Sequence, residues 1–173
     1  MTPAPVRAYV ALGSNLGDRA AHLAAAREAL ATTPGVRVLR ASPAYETDPV
    51  GPGSQGPYLN AVLELETELP PRALLRRLLE VEAARGRTRG PQRNRPRTLD
   101  LDLLLQGGAR LEEPGLVLPH PRLHERAFVL RPLCDLVPEL RHPVLGLRMA
   151  ELLARVRDPG GVRPSTREPW GDP

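Results

Sequence analysis

Apolar and polar residues follow two spacings along the first 106 residues. A period of two with β-forming residues is typical of strands, and predicts strands at residues 7–12, 35–42, 58–67 and 98–105. In the strand at 58–67 one face would carry Leu59, Ala61, Leu63 and Leu65, and the other Tyr58, Asn60, Val62, Glu64 and Glu66. The second strand is expected to continue irregularly into residues 44–47.

Helical spacing occupies the intervals between these strands. Asp18 can cap a helix that runs to about residue 32, and Pro71 suits the first turn of a second helix that ends before Gly86. The order β-α-β-β-α-β predicts an α+β fold: an antiparallel sheet with the helices packed on it, in the ferredoxin-like arrangement. Beyond Gly107 the pattern predicts a short element at 116–119 and short C-terminal helices at 125–136 and 148–156.

The length of 173 residues is that of one domain. We expect residues 1–157 to form it and 158–173, rich in Pro and Gly, to be a tail that is poorly ordered or merely docked. Residues 48–57 have too much Pro and Gly for regular structure, and long loops of this kind are often functional.

Composition narrows the class of protein. Apolar residues make up 41% and charged residues 25%, which is ordinary for a soluble globular chain. Cys134 is the only cysteine, so an intramolecular disulfide is impossible and a reducing compartment is expected. No apolar run approaches the ~20 residues that span a bilayer. These features predict a cytoplasmic protein.

Positive charge is concentrated in one segment. All 24 basic residues are arginine, which we attribute to a compositional bias of the chain. Six of them lie between residues 85 and 97, where there is no acidic residue: Arg85, Arg87, Arg89, Arg93, Arg95 and Arg97. Since the formal net charge is only +4, the rest of the chain is net negative, and the segment indicates a local anionic partner.

The strand that follows, "TLDLDLLL", carries two carboxylates. Asp100 and Asp102 point to the same face, ~6.6 Å apart along the strand, and Leu99, Leu101, Leu103 and Leu105 are predicted to fill the opposite, core face. Two carboxylates this close repel unless a cation or water screens them, and Mg²⁺ typically binds one or two carboxylates together with substrate phosphates. The alternative is a half-exposed strand whose outer face is simply polar.

Three interpretations of the arginine segment are open. It is a solvated loop that binds nothing specific, a nucleic-acid contact, or a clamp for the phosphates of a nucleotide. The immediate neighbourhood of Asp100 and Asp102 favours the clamp, because phosphoryl-type transfer depends mostly on positioning and charge neutralisation.

Side chains suited to a flat heterocycle lie elsewhere in the chain. Asn60 shares a strand face with Tyr58, and an amide suits the edge of a ring that Tyr58 and Phe128 could cover. Surface polar residues and a core phenylalanine are the alternative. The segment "LPHPRLHERAFVL" brings together His120, Arg122, His124 and Arg126. We expect these side chains either to contact phosphate or to be ordinary surface residues. We do not expect His120 and His124 to form a metal site.

The motifs "ALGSNLGDR", "YETDPVGPGSQGPYLNAV", "ARGRTR", "RPRTLDLDLL" and "LPHPRLHERAFVLRPL" together resemble the 6-hydroxymethyl-7,8-dihydropterin pyrophosphokinases, over about residues 9–139. The resemblance implies a ferredoxin-like fold. It also implies transfer of diphosphate from ATP to the hydroxymethyl group of the pterin, with release of AMP, in folate biosynthesis.

The resemblance further implies roles for single residues. Asp100 and Asp102 would bind two Mg²⁺ ions, and the pterin pocket would be formed by Thr47, the backbone near Val50, Tyr58, Asn60 and Phe128. The ATP side would comprise Glu82, Arg87, Arg89, Arg97, His120 and Arg126, with Arg87 and Arg97 the most catalytic of the arginines. The chain departs from some members at Leu79, Asn94 and Pro121, where glutamine, tryptophan and tyrosine can stand, so adenine contacts differ there.

Two rival functions remain open from the residues alone. A nucleic-acid-binding module with this sheet would display stacked aromatic residues, of which only Tyr58 is available. A Mg²⁺-dependent phosphohydrolase would transfer phosphate to water. We expect a monomer that binds ATP and a pterin, no nucleic acid and no membrane. The loop at 48–57 and the arginine segment are predicted to close over the substrates, and no side chain is an evident general base.

Overall fold

The computed structural model describes residues 4–48, 57–86, 98–157, 161–165 and 170. The main sheet is built from strands β1 (Val6–Ser14), β2 (Val36–Ala41), β3 (Tyr45–Thr47), β4 (Tyr58–Thr67) and β5 (Asp100–Gln106). The principal helices are α1 (Arg19–Ala31), α2 (Pro71–Ala84), α3 (Ala127–Leu136) and α4 (Met149–Arg155). Smaller elements are the strands β6 (Leu111–Glu113), β7 (Leu116–Leu118) and β8 (Arg163–Pro164) and a 3₁₀ turn at Leu123–Glu125.

Local signals start and stop the helices where the sequence predicts. The Asp18 carboxylate accepts a hydrogen bond from the Ala21 amide at 3.1 Å and so caps α1. Pro71 is the first residue of α2, and Gly86 follows its end with a φ of +83°, which favours glycine.

Strand pairing confirms the predicted ferredoxin-like α+β fold. β1 lies between β4 and β5, and every pairing in this part of the sheet is antiparallel. β2 and β3 are successive pieces along the other edge of β4, as predicted for an irregular second strand. The strand order is therefore β5-β1-β4, followed by β2 and β3.

Both faces of the sheet are covered by helices. α1 and α2 pack on one face, over a core of leucine, valine and alanine from β1, β4 and β5. α3 and α4 cover part of the other face, where Tyr9, Ala11 and Val62 are buried beneath them.

The alternation predicted for β5 is wrong at one residue. Leu99, Leu101 and Leu103 face α1 and α2 as predicted, whereas Leu105 is buried with Leu104 under α3. The cause is an irregularity of register: Val10 pairs with Leu103 but Tyr9 pairs with Leu105, so one extra residue reverses the faces.

The described residues of the C-terminal segment are docked on the sheet. β8 pairs with β3, and the Trp170 ring is 4% exposed in the core beside α1. Its indole N–H donates to the Ser42 carbonyl at 2.9 Å. The division into a domain at 1–157 and a tail at 158–173 stays a prediction.

Candidate active site

The register of the sheet brings distant polar residues into one row. Gly13 on β1 pairs with Asp100 on β5 and with Asn60 on β4, and Asn60 also pairs with Tyr45 on β3. Residues directly opposite each other in an antiparallel sheet point to the same face. Asp100, Asn60 and Tyr45 therefore project from the face that α3 covers in part, with Gly13 as the floor between the carboxylate and the amide.

Asn60 and Thr47 form one side of the site. The Asn60 amide N–H donates to the Thr47 hydroxyl at 2.8 Å, and both residues are buried. Thr47 pairs with Tyr58, whose ring comes within 3.9 Å of the position that a Cβ on Gly13 would occupy. This bond uses one of the two amide donors of Asn60 and fixes the orientation of the amide.

The two aromatic residues lie on the same side of the sheet. Tyr58 begins β4, two residues before Asn60, so that its ring and the amide share a face. Phe128 is in the first turn of α3, the helix that packs over this face. The structure thus places Tyr58, Asn60 and Thr47 together, on the face over which the helix of Phe128 packs. Val50 lies outside the described residues.

Asp102 lies two residues along β5 from Asp100 and next to a cation. Asp102 pairs with Ala11 on β1. Its Oδ2 is 3.8 Å from an Arg126 guanidinium nitrogen, with 38% and 23% of the two side chains exposed. The Arg126 guanidinium is also 5.6 Å from the centre of the Phe128 ring. The Arg126 guanidinium is therefore close to both the Asp102 carboxylate and the Phe128 ring.

Glu82 on α2 contacts the backbone of β5, the strand that carries Asp100 and Asp102. It is 2% exposed, and its Oε2 accepts a hydrogen bond of 2.7 Å from the amide of Leu101, the residue between the two aspartates. This contact is with the backbone of β5, an edge strand of the sheet. Glu82 therefore contacts the strand that carries the two aspartates, and its role on the nucleotide side, which the resemblance implies, stays a prediction.

His120 is a neutral imidazole at the rim of the site. Burial lowers its pKa to about 4, with the charges of Arg126 and Arg122 acting in the same direction and Asp100 opposing them. Its Nδ1 accepts a hydrogen bond from the Arg122 amide at 3.1 Å. The ring proton is therefore on Nε2, which makes His120 a neutral N–H donor at pH 7.

A pH titration of stability checks this environment. The ordinary pKa is 6.5, so between about 6.5 and 4 the unfolded chain binds more protons than the folded one at this residue. Stability is therefore lost as pH falls through this window. Replacing His120 by asparagine should make urea unfolding less pH-dependent from pH 6.5 to 4. Parallel curves for the two proteins would contradict the assignment, since His22 and His142 titrate in both.

Arg19 binds the ends of the two strands that carry Thr47 and Tyr58. Its guanidinium donates to Glu46 at 2.6 Å and to the Pro57 carbonyl at 2.8 Å. Glu46 belongs to β3 and Pro57 directly precedes β4, so one side chain joins α1 to both strands.

Several predicted residues fall outside the described residues. These are Val50 and the arginines Arg87, Arg89 and Arg97. Their predicted roles, the predicted loop closure and the departure at Asn94 stay predictions.

Comparison with known proteins identifies the family. Residues 9–138 match the model of the 7,8-dihydro-6-hydroxymethylpterin-pyrophosphokinase family, HPPK. The chain belongs to this family.

Individual relatives agree with the match. The chain is 47% identical over 156 residues to the 2-amino-4-hydroxy-6-hydroxymethyldihydropteridine pyrophosphokinase of Methylorubrum extorquens, covering 90% of this chain and 96% of that protein. It is 47% identical over 148 residues to the enzyme of the same name from Pseudomonas aeruginosa, covering 86% and 90%. Both HPPK relatives therefore match over nearly their whole length.

A solved structure supports the fold alone. The HPPK-DHPS protein of Plasmodium falciparum superposes with a TM-score of 0.68 at 13% identity, covering 88% of this chain and 46% of that one. The ferredoxin-like fold is thereby confirmed for this HPPK chain. None of its helices within the described residues has the length and apolar character needed to cross a membrane.

Gly13 is the site residue that sequence reasoning missed. The sequence pattern predicts that the first strand stops at Gly13, but β1 continues to Ser14. A glycine inside a strand often marks the close approach of a ligand or of another group, and that signal was available.

Proposed function

We propose that this chain transfers diphosphate from ATP to the hydroxymethyl group of 6-hydroxymethyl-7,8-dihydropterin, giving AMP and the pterin diphosphate, a step of folate biosynthesis. The observation that carries the proposal is the row Asp100, Gly13 and Asn60 across three strands. It places a carboxylate suited to cation-bound phosphates beside an amide suited to a heterocycle.

The pterin would bind on the Asn60 side. Its ring edge offers donors and acceptors to the Asn60 amide, whose orientation Thr47 fixes. Tyr58 and Phe128 would cover the two faces of the ring, since flat aromatic groups stack favourably. The backbone near Val50 would complete the pocket, as the resemblance implies.

Gly13 is proposed to leave room for this ring. A Cβ added at Gly13 would lie 3.1 Å from the Asn60 Oδ1, which is tighter than normal contact, and Gly13 has no left-handed φ that would strain alanine. Gly13→Ala should therefore displace the amide and raise KM for the pterin roughly tenfold, since small misplacements cost much in a positioned site. Gly108→Ala is the matched control in steady-state kinetics, because nothing lies within 4 Å of its added Cβ. Equal KM values for the two variants would contradict the role of Gly13.

The carboxylates fit magnesium. Asp100 and Asp102 present oxygen ligands on one strand face. No group of three or more His, Cys, Asp or Glu in the described part of the chain is arranged to hold a metal, so these two carboxylates would need substrate oxygens to complete the ligands of an ion. Mg²⁺ is commonly held by one or two carboxylates plus substrate phosphates. We propose that the two aspartates hold two such ions, which would neutralise phosphate charge and orient the triphosphate.

Arginines would stabilise the charge that develops on the departing AMP. Arg126 lies beside Asp102, and burial lowers its pKa while the Asp102 charge opposes that shift. Arg87, Arg89 and Arg97 are proposed to contact the phosphates from the arginine segment. Fixed cations of this kind act mostly by electrostatic stabilisation, so no general base is assigned.

The nucleoside of ATP is proposed to lie toward His120. A cavity of about 420 Å³ adjoins this residue, with Arg110, Val117, Pro121, His124 and Leu145 among its lining residues. Its volume is within the range of small-molecule sites. His120 would offer its Nε2 proton to the nucleotide from there.

We further propose that the protein is a cytoplasmic monomer.

A coupled assay tests the function. ATP is incubated with the protein and Mg²⁺, with and without hydroxymethyl-dihydropterin, and AMP and the pterin product are measured by mass spectrometry. We expect AMP and pterin diphosphate in equal amounts, and only when the pterin is present. AMP or phosphate formed without the pterin would favour a phosphohydrolase, and tight salt-dependent binding of single-stranded RNA would favour the nucleic-acid module.

A further inference from the structure

The outermost residue of the site row is anchored to α3. Tyr45 pairs with Asn60, is 5% exposed, and its hydroxyl donates a hydrogen bond to an Asp135 carboxylate oxygen. The Arg131 guanidinium lies 5.8 Å from the centre of the Tyr45 ring. Tyr45 and Asp135 are 90 positions apart in sequence, and their hydrogen bond joins the sheet to the helix.

The helix residues of this anchor share a face with Phe128. Phe128, Arg131 and Asp135 follow the spacing i, i+3, i+7, which places them along one side of α3. At the usual rise, Asp135 lies ~10 Å along the helix from Phe128. On the strand side, Tyr45 is two residues before Thr47, the partner of Asn60. One end of the anchor therefore carries the amide side of the pterin pocket and the other carries its aromatic cover.

We propose that Tyr45, Asp135 and Arg131 are positioning residues that set the distance between β3 and α3, and thereby the width of the slot between Phe128 and Tyr58. This inference rests on the proposed pterin site. It assigns the anchor no contact with the reacting atoms. Burial and the bond to Asp135 raise the pKa of the Tyr45 phenol, which keeps it a donor at neutral pH.

The molecule contains a matched anchor away from the site. Tyr9 is also 5% exposed on the same face of the sheet, and its hydroxyl donates to Glu64 at 2.7 Å. Glu64 is held in addition by Arg40 at 2.9 Å. Tyr9 lies four residues before Gly13, ~14 Å along β1. A phenol-to-carboxylate bond can thus be removed at either end of the same face.

The test compares Tyr45→Phe and Asp135→Ala with Tyr9→Phe in the full-length protein. KM for the pterin, KM for ATP, kcat and Tm are measured for each. Tyr45→Phe and Asp135→Ala should each raise KM for the pterin roughly tenfold, with KM for ATP and kcat within about twofold of wild type. The double variant should show little more than either single change, because both remove the same bond. Tyr9→Phe should lower Tm by a few degrees, as much as Tyr45→Phe does, and should leave both KM values unchanged.

The outcomes separate this inference from the proposed function. Wild-type turnover of the pterin tests the function itself, and its absence would overturn both. If wild type is active, an unchanged pterin KM in Tyr45→Phe would overturn the inference alone. An equal rise in KM for ATP, or a Tyr9→Phe variant with the same kinetic defect, would also overturn it by showing a general effect on the fold.

Discussion

Asp102→Ala is expected to lower diphosphate transfer roughly a thousandfold and to leave the fold intact. The carboxylate is the ligand that we propose for Mg²⁺, so its loss would remove a group that holds the cation, and with it the positive charge that would bind the triphosphate. The fold should persist because 38% of the Asp102 side chain is exposed and alanine is tolerated in a paired strand. The rate of AMP and pterin diphosphate formation at saturating Mg²⁺ and ATP measures the loss, and circular dichroism measures the fold.

Two further variants define what the aspartate contributes. Asp102→Asn keeps the size of the side chain and removes its charge, so it should be nearly as inactive as alanine. Glu66→Ala is the matched control, because Glu66 is also a partly exposed strand carboxylate, 29% exposed, beside arginines. It should keep wild-type turnover. Near-wild-type activity of Asp102→Ala would remove the proposed metal site, whatever the controls show.

Local chemistry made much of the fold predictable. β4 spans Tyr58–Thr67, the ten residues whose alternation predicts it, because one face packs on α1 and α2 while the other meets α3. The starts of α1 and α2 follow from Asp18 and Pro71, which act within one turn of the chain. Signals of this range are visible in a sequence without knowledge of the fold.

Pairing between strands was not predictable in the same way. The register irregularity beside Leu104 moves Leu105 to the other core, and nothing in an unbroken run of leucines marks it. Similarly, the position of Gly13 between Asp100 and Asn60 depends on how β1 aligns with two strands far along the chain. Long-range alignment is fixed by total packing, so the sequence alone indicates which residues share a face but not which residues meet.

The same limit applies to the site. Asp100 with Asp102, and Asn60 with Tyr58, were predictable as pairs because a strand places alternate residues on one face. The contact of Tyr45 with Asp135 was not predictable, because it joins a strand to a helix 90 residues later in the chain. For Glu82, the backbone contact with Leu101 depends on the packing of α2 against the edge of the sheet.

Arg126→Ala is expected to lower kcat/KM roughly a hundredfold, the scale on which one preorganised charge contact is lost. The guanidinium lies 3.8 Å from Asp102 and 5.6 Å from the Phe128 ring centre, so it faces both the proposed phosphate side and the proposed pterin side. Separate values of kcat and KM decide its role. A fall in kcat places Arg126 in transition-state stabilisation, whereas a rise confined to KM for ATP places it in binding.

Arg122→Ala is the matched control for the charge of Arg126. Arg122 lies four residues earlier, 63% of its side chain is exposed, and it pairs with Glu125 at 3.4 Å, a contact of surface type that contributes little. Its loss should change kcat/KM by less than about threefold, on the scale of such a contact. Arg126→Lys should recover only part of the activity, because lysine keeps the charge but lacks the planar fork that binds phosphate through two N–H groups. If Arg126→Ala and Arg122→Ala behaved alike, the effect would be one of net charge near the site, and the assignment of Arg126 to the reacting phosphates would be wrong.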